Sequence, residues 1–184
     1  GPAPARDLYF GVTLVDPVGE KALPDSYILV EDGRIAAIGR GRPADAQGAT
    51  LHDFTGLWAL PGLIDTHAHV TLGPLSAGRE NGTPFIRTNP SDEITAHNAR
   101  MLLSFGVTTI RNPGGPPAHN RAYVGRVASG ELAGPEMVWA GEIIERAPFA
   151  IGNLVTLVTP DRSVAQIVAE QARPGQGYVK LYIG

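Results

Sequence analysis

Asp65-Thr66-His67-Ala68-His69 is the stretch whose residue types and spacing point most directly to chemistry. In an extended strand alternate side chains share a face. Asp65, His67 and His69 would then point one way, Thr66 and Ala68 the other. Two imidazoles about 7 Å apart along a strand can tilt their tips onto one ion. Neutral imidazole is a good zinc ligand, with Zn–N near ~2.0–2.1 Å. Asp65, one step deeper, could accept a hydrogen bond from a neighbouring backbone or ligand group as support. The competing reading is a pair of ordinary strand histidines satisfied by hydrogen bonds.

Lys180 is the second signal. Of the 15 basic residues only Lys21 and Lys180 are lysines; the rest are arginines. Lys180 lies in the otherwise uncharged run from Gly177 to Gly184, where Tyr178, Lys180 and Tyr182 would share a strand face. A bare ammonium buried there is costly. A neutral amine in the same place can act as a nucleophile or base, or be modified, which a guanidinium cannot do as readily. A lysine at a strand end reaching into solvent is the alternative.

The elements that would position these residues follow from pattern. From residues 7 to 60 the chain reads as short strands and turns. Leu8 to Val15 is one strand; Tyr27 to Val30 and Ile35 to Ile38 flank Asp32-Gly33, a hairpin signal. Thr50 to Leu60 reads as another strand. Gly39 to Ala44 has dinucleotide-loop spacing, but Pro43 and the lack of a following amphipathic helix make it a plain loop.

After Pro61-Gly62 the rhythm changes. Leu63 to Val70 reads as a buried strand and Thr71 to Pro90 as a long loop able to cover a site. Ser91 caps a helix with Asp92 and Glu93 in its first turn, and with Ile94, Met101, Leu102 and Phe105 on its apolar face. Val107 to Arg111 is a strand, His119 to Ser129 a helix with Tyr123, Val124 and Val127 inward, and Met137 to Ile144 a strand. Ser163 caps a third helix carrying Val164, Ile167 and Val168; Tyr178 to Ile183 is the last strand. Alternating strands and helices predict α/β architecture with a parallel sheet. This pattern fits either the first half (strands 1–4) of a TIM-like (β/α)8 barrel or an open four-stranded sheet. The expected division is 1–60, part of a small β-sandwich, and 61–184, the β/α segment.

Composition narrows the functions. The 184 residues carry a net charge of −3, which offers no basic field for nucleic acid or an anionic membrane. No run approaches the roughly 18 apolar residues of a membrane span. The absence of cysteine removes thiolate metal sites and cysteine nucleophiles. Of the other histidines, His52 precedes the β/α segment, and His97 and His119 fall on predicted helices as surface or capping residues.

Four motifs in order resemble the amidohydrolase superfamily of metal-dependent hydrolases. They are Ala59-Leu-Pro-Gly-Leu-Ile-Asp-Thr-His-Ala-His69, Phe105-Gly-Val-Thr-Thr-Ile-Arg111, Gly134-Pro-Glu-Met-Val138 and Val179-Lys180. The resemblance spans essentially the whole chain and is to the dinuclear-zinc, carboxylated-lysine type, such as Xaa-Pro dipeptidase-like and imidazolonepropionase-like members. It implies that His67 and His69 bind the more buried zinc, and that a CO₂-derived carbamate on Lys180 bridges two Zn²⁺ ions. It implies hydrolysis of an amide, peptide or cyclic-amide C–N bond in a small-molecule substrate, with His67, His69 and Lys180 as the catalytic centre. Arg111 and Asn112 at the mouth, and Tyr182, are the substrate-contact candidates, with turn stabilisation the competing role for the first two. Relatives often carry an acidic residue where Asn112 stands. Glu142 and Glu145 are expected as solvated loop carboxylates.

The resemblance also implies what this chain lacks: two further histidines and an aspartate from later strands, and the strands completing the sandwich. The expected partner is therefore a complementary C-terminal chain of the same barrel, with a homo-oligomer of the assembled enzyme left open. The competing functions are a mononuclear deaminase-like amidohydrolase, which Lys180 argues against, and a non-catalytic metal- or partner-binding fragment.

Overall fold

The computed structural model describes residues 5–43, 46–146, 154–172 and 175–182. They fall into two compact units, Gly1–Pro61 and Gly62–Gly184.

The first unit is a mixed sheet. β1 (Arg6–Asp16), β2 (Lys21–Glu31) and β3 (Arg34–Arg40) form an antiparallel meander. It reverses at Asp32-Gly33, as the sequence predicts. The expected single strand from Thr50 to Leu60 is instead two short pieces, β4 (Thr50–Asp53) and β5 (Trp58–Ala59), both parallel to β1. A turn closed by Leu57 N–H donating to the Phe54 carbonyl at 2.9 Å separates them. Asp53 Oδ1 accepts the Thr55 amide inside that turn, at 2.9 Å. Among the described residues His52 is engaged in this sheet: its Nε2 lies 2.7 Å from Asp7 Oδ1 and its ring stacks on Tyr9.

The second unit is a parallel sheet with helices. Its strands are β6 (Leu63–Asp65), β9 (Val107–Asn112), β10 (Glu136–Glu145), β11 (Val155–Leu157) and β12 (Gln176–Leu181); between β6 and β9 comes a separate hairpin of β7 (Leu75–Glu80) and β8 (Thr83–Thr88). The helices are α1 (Asp92–Ser104), α2 (Pro117–Ala128) and α3 (Val164–Gln171). Every pairing among β6, β9, β10, β11 and β12 is parallel. β10 is the spine. Its first half pairs β9, and beyond the end of β9 it pairs β11, while Ile143 also pairs Lys180 of β12 on the other edge.

The helices form where their caps and apolar residues dictate. Ser91 accepts the Ile94 amide, and Ser163 and Gln166 make a reciprocal capping box. Pro117 at the first turn of α2 starts that helix earlier than expected; proline is preorganised there and its missing donor is not needed. Val70, Ala96, Ala99, Ile110, Tyr123 and Leu132 make the core between sheet and helices. Tyr123 donates to the Pro135 carbonyl at 2.9 Å, and burial pushes its phenol up to about 12.

Three expectations fail here for physical reasons. The buried side of α1 is Thr95, Ala96 and Ala99, while Met101 and Phe105 are exposed, because the small residues let the helix approach the sheet closely. The strand expected over Leu63 to Val70 ends at Asp65, and Leu63 and Ile64 are exposed on it. The loop expected over Thr71 to Pro90 contains the β7–β8 hairpin. Asn81-Gly82 turns it with both residues at positive φ (50° and 80°), the geometry this dipeptide favours. At its base Gly73 has φ 64°, and a Cβ there would fall 1.8 Å from the Asn89 carbonyl oxygen. Asn89 closes the base by donating to the Pro74 carbonyl from both its backbone and its side chain, at 3.0 Å each.

Candidate metal centre

β6 delivers its chain end to the same end of the sheet as β9, β10 and β12, because all run parallel. Asp65 is the last residue of β6, so His67 and His69 sit on the loop beyond it rather than on a strand face. They converge nonetheless. Asp65 Oδ1 accepts the His67 amide at 2.9 Å, Ala68 donates to the Arg111 carbonyl at 3.1 Å, and Val70 and Thr71 are buried. These ties bend the loop so that the two rings meet edge to face, centroids 5.3 Å apart.

His69 Nδ1 lies 2.9 Å from the Gly114 carbonyl oxygen. A carbonyl only accepts, so Nδ1 carries the proton and Nε2 keeps its lone pair. Partial burial lowers the pKa of His69, opposed by the bond to Gly114; the neighbouring His67 and Lys180 charges also lower it, and Asn112 opposes them. Lys180 lies near the end of a different strand, β12. Its Nζ stands 5.6 Å from the Tyr182 ring centroid.

The donor set fits a cation that takes imidazole nitrogen. Among the described residues no three His, Cys, Asp or Glu side chains cluster as metal donors. A histidine held unprotonated below its ordinary value of 6.5 is ready to bind metal at neutral pH. As pH falls through about 6.5 the unfolded ring takes up its proton before the folded one. Zinc affinity and the share of stability from neutral His69 are therefore expected to fall together on acidification. Zinc titrations across pH 5–8, beside thermal melts, check this; affinity that rises on acidification would contradict it.

The other sequence candidates take distinct places. Arg111 is exposed, with its guanidinium carbon 4.1 Å from the Tyr178 ring centroid. Asn112 is wholly buried, and its Nδ2 donates to Thr71 Oγ1 at 3.3 Å and to Asn120 Oδ1 at 3.1 Å. Tyr182 follows β12 and is 45% exposed. Glu142 and Glu145 lie within β10, not in a solvated loop: Glu145 is buried and Glu142 Oε2 accepts the Thr156 hydroxyl. Sequence reasoning missed Thr71 and Asn120, since a polar residue inside a core leaves no periodic signal.

Comparison with known proteins agrees with the motifs. The imidazolonepropionase of Cupriavidus pinatubonensis is 40% identical over 62 residues, 33% of this chain and 15% of that protein. The enamidase of Eubacterium barkeri is 40% identical over 90 residues, 48% of this chain and 20% of that protein. A prolidase solved with N-methylphosphonate-L-proline superposes with TM-score 0.73 over 96% of this chain, at 20% identity. These similarities support an amidohydrolase-like chain, and the structural ones show a shared fold. An adenine deaminase of Chelativorans sp. aligns with 92% of this chain at 26% identity. A Xaa-Pro dipeptidase with methionine in its active site shares the fold at TM-score 0.72 and 20% identity, also over 96% of the chain. No family model matches. The chain spans less than half the length of these relatives and neighbours: 15% to 31% of the curated proteins and 46% to 47% of the two structures.

Proposed function

We propose that this chain carries part of the metal centre of a zinc-dependent amidohydrolase that hydrolyses an amide, peptide or cyclic-amide C–N bond. One observation carries the reading: His67 and His69, whose rings meet just beyond β6, share an end of a parallel sheet with Lys180 near the end of β12. That end of a β/α architecture is where active sites assemble. Relatives named for C–N chemistry, an imidazolonepropionase, an enamidase and prolidases, point the same way.

In this reading His67, His69 and a carbamate formed from Lys180 and CO₂ would be the residues of this chain that hold two Zn²⁺ ions. When bound, zinc would supply a water with a pKa of about 7 and Lewis-acid polarisation of the scissile carbonyl. The chain's own residues set up that chemistry. Gly114 fixes the His69 tautomer, Asp65 pins the His67 backbone, and Arg111 and Tyr182 stand at the same end of the sheet, available to a substrate.

The sheet is then the first half of a (β/α)8 barrel, and a complementary C-terminal portion supplies the remaining metal ligands. The exposed Ile64 and Val138 on the sheet support this, as apolar side chains awaiting cover. Unit 1 is read likewise as part of a β-sandwich. Leu14, Leu23, Ile28, Ile35, Ile38 and Leu60 line an open apolar hollow of about 450 Å³ there.

A one-metal deaminase is the second reading, favoured by the similarity to an adenine deaminase. Zinc titration of the assembled protein separates the two. Saturation at two zincs, with turnover of dipeptides or cyclic amides, supports the dinuclear hydrolase. Saturation at one, with release of ammonia from an amino-purine, supports the deaminase.

A further inference from the structure

Below the histidine pair lies a group of buried polar side chains that the reading above leaves without a role. Thr71, Asn112 and Asn120 are each 0% exposed. Thr71 Oγ1 donates to Asn120 Oδ1 at 2.6 Å, and Asn112 Nδ2 reaches both of them. Asn120 Nδ2 donates onward to the Ala140 carbonyl at 3.3 Å, tying α2 to β10. Buried polar groups are costly unless satisfied, so three of them in contact call for a reason.

Their places in the chain supply one. Thr71 is two residues beyond His69. Asn112 ends β9 two residues before Gly114, the acceptor for His69 Nδ1. Asn120, in the first turns of α2, closes the far side of the Pro113-Gly114-Gly115 turn. The turn rests directly on the group: a Cβ on Gly115 would come 2.9 Å from Asn120 Oδ1 and 3.0 Å from Thr71 Oγ1. The hydrogen bonds therefore join the segment that carries the imidazole to the segment that carries its acceptor. Asn112 Oδ1 is also buried and has no hydrogen-bond partner among the described residues.

We propose that Thr71, Asn112 and Asn120 are positioning residues for His69: they hold the Gly114 carbonyl against Nδ1, so that Nε2 is the ring atom presented to metal. Outer partners of this kind orient ligating histidines and set metal affinity. The inference rests on the zinc reading above, but its first readout needs no metal.

The test uses the full protein carrying this chain, with ring nitrogens labelled, as Thr71→Val and Thr71→Ser. Thr71→Val keeps the shape and loses the hydroxyl; Thr71→Ser keeps the hydroxyl. At pH 8, without metal, wild type and Thr71→Ser are expected to show His69 as a single Nδ1–H tautomer. Thr71→Val is expected to show a mixture, and to bind zinc about 10–100-fold more weakly, with Thr71→Ser close to wild type. A folded Thr71→Val protein with the wild-type tautomer and wild-type zinc affinity would overturn the proposal. Should Thr71→Val fail to fold, Gly115→Ala disturbs the same contacts by wedging the turn, with the same expected and overturning results. A wild type that binds no zinc defeats the zinc reading alone; the tautomer comparison still decides the positioning role.

Discussion

Replacing Lys180 by arginine is expected to lower kcat/KM by about 10³-fold, or about 4 kcal/mol of transition-state stabilisation, and to remove zinc from the protein. What each side chain can become decides the outcome. Arginine keeps the positive charge and can still lie over Tyr182, whose ring centroid is now 5.6 Å from the Lys180 Nζ. A lysine kept for charge or for that contact would tolerate the exchange. A lysine kept for its amine would not, because a guanidinium does not capture CO₂ as a stable carbamate ligand. The chain's composition already leans this way, since 15 basic residues include only two lysines. His67→Ala is expected to cost a comparable factor by removing a ligand outright. Zinc content measured beside kcat/KM checks both; a Lys180→Arg protein with full zinc and near wild-type turnover would remove the lysine from the site.

Truncating Trp139 is the largest structural effect expected. Trp139 sits on β10, where it pairs Asn112 of β9 and Gln176 of β12, and its side chain is 1% exposed. Trp139→Ala removes the largest fully buried side chain and leaves a cavity beside the strand that joins both edges of the sheet. Such changes cost about 3–5 kcal/mol, a large part of the roughly 5–15 kcal/mol that holds a typical domain. Denaturant unfolding should show an unfolding free energy lower by that amount, or no folded protein. A shift under about 1 kcal/mol would mean that the site collapses around the loss.

Much of this was legible in the sequence because local rules and global fold agree. Ser91 and Ser163 cap helices as their hydroxyls allow, Asp32-Gly33 turns a hairpin, and the strand–helix alternation yields a parallel sheet. The histidine pair was legible for a partly different reason. Alternation on a strand predicted convergence, yet the strand stops at Asp65 and hydrogen bonds from the loop bring the rings together. Features set by long-range contacts were not legible. Ala96 and Ala99, rather than Met101 and Phe105, face the core because close approach to the sheet selects small residues. The β7–β8 hairpin was hidden because glycine, proline and polar residues around it resemble a loop, although Asn81-Gly82 was its turn signal. The Thr71–Asn112–Asn120 group has no sequence period, since its members come from a loop, a strand and a helix.

The claim that matters most is that His67, His69 and Lys180 serve a zinc centre that cleaves a C–N bond. Turnover of a dipeptide or cyclic amide, followed in one sample before chelation, after chelation and after zinc is returned, tests it most directly. The account predicts that activity disappears with the metal and returns with two zincs per active site. Undiminished turnover in metal-free protein would contradict it.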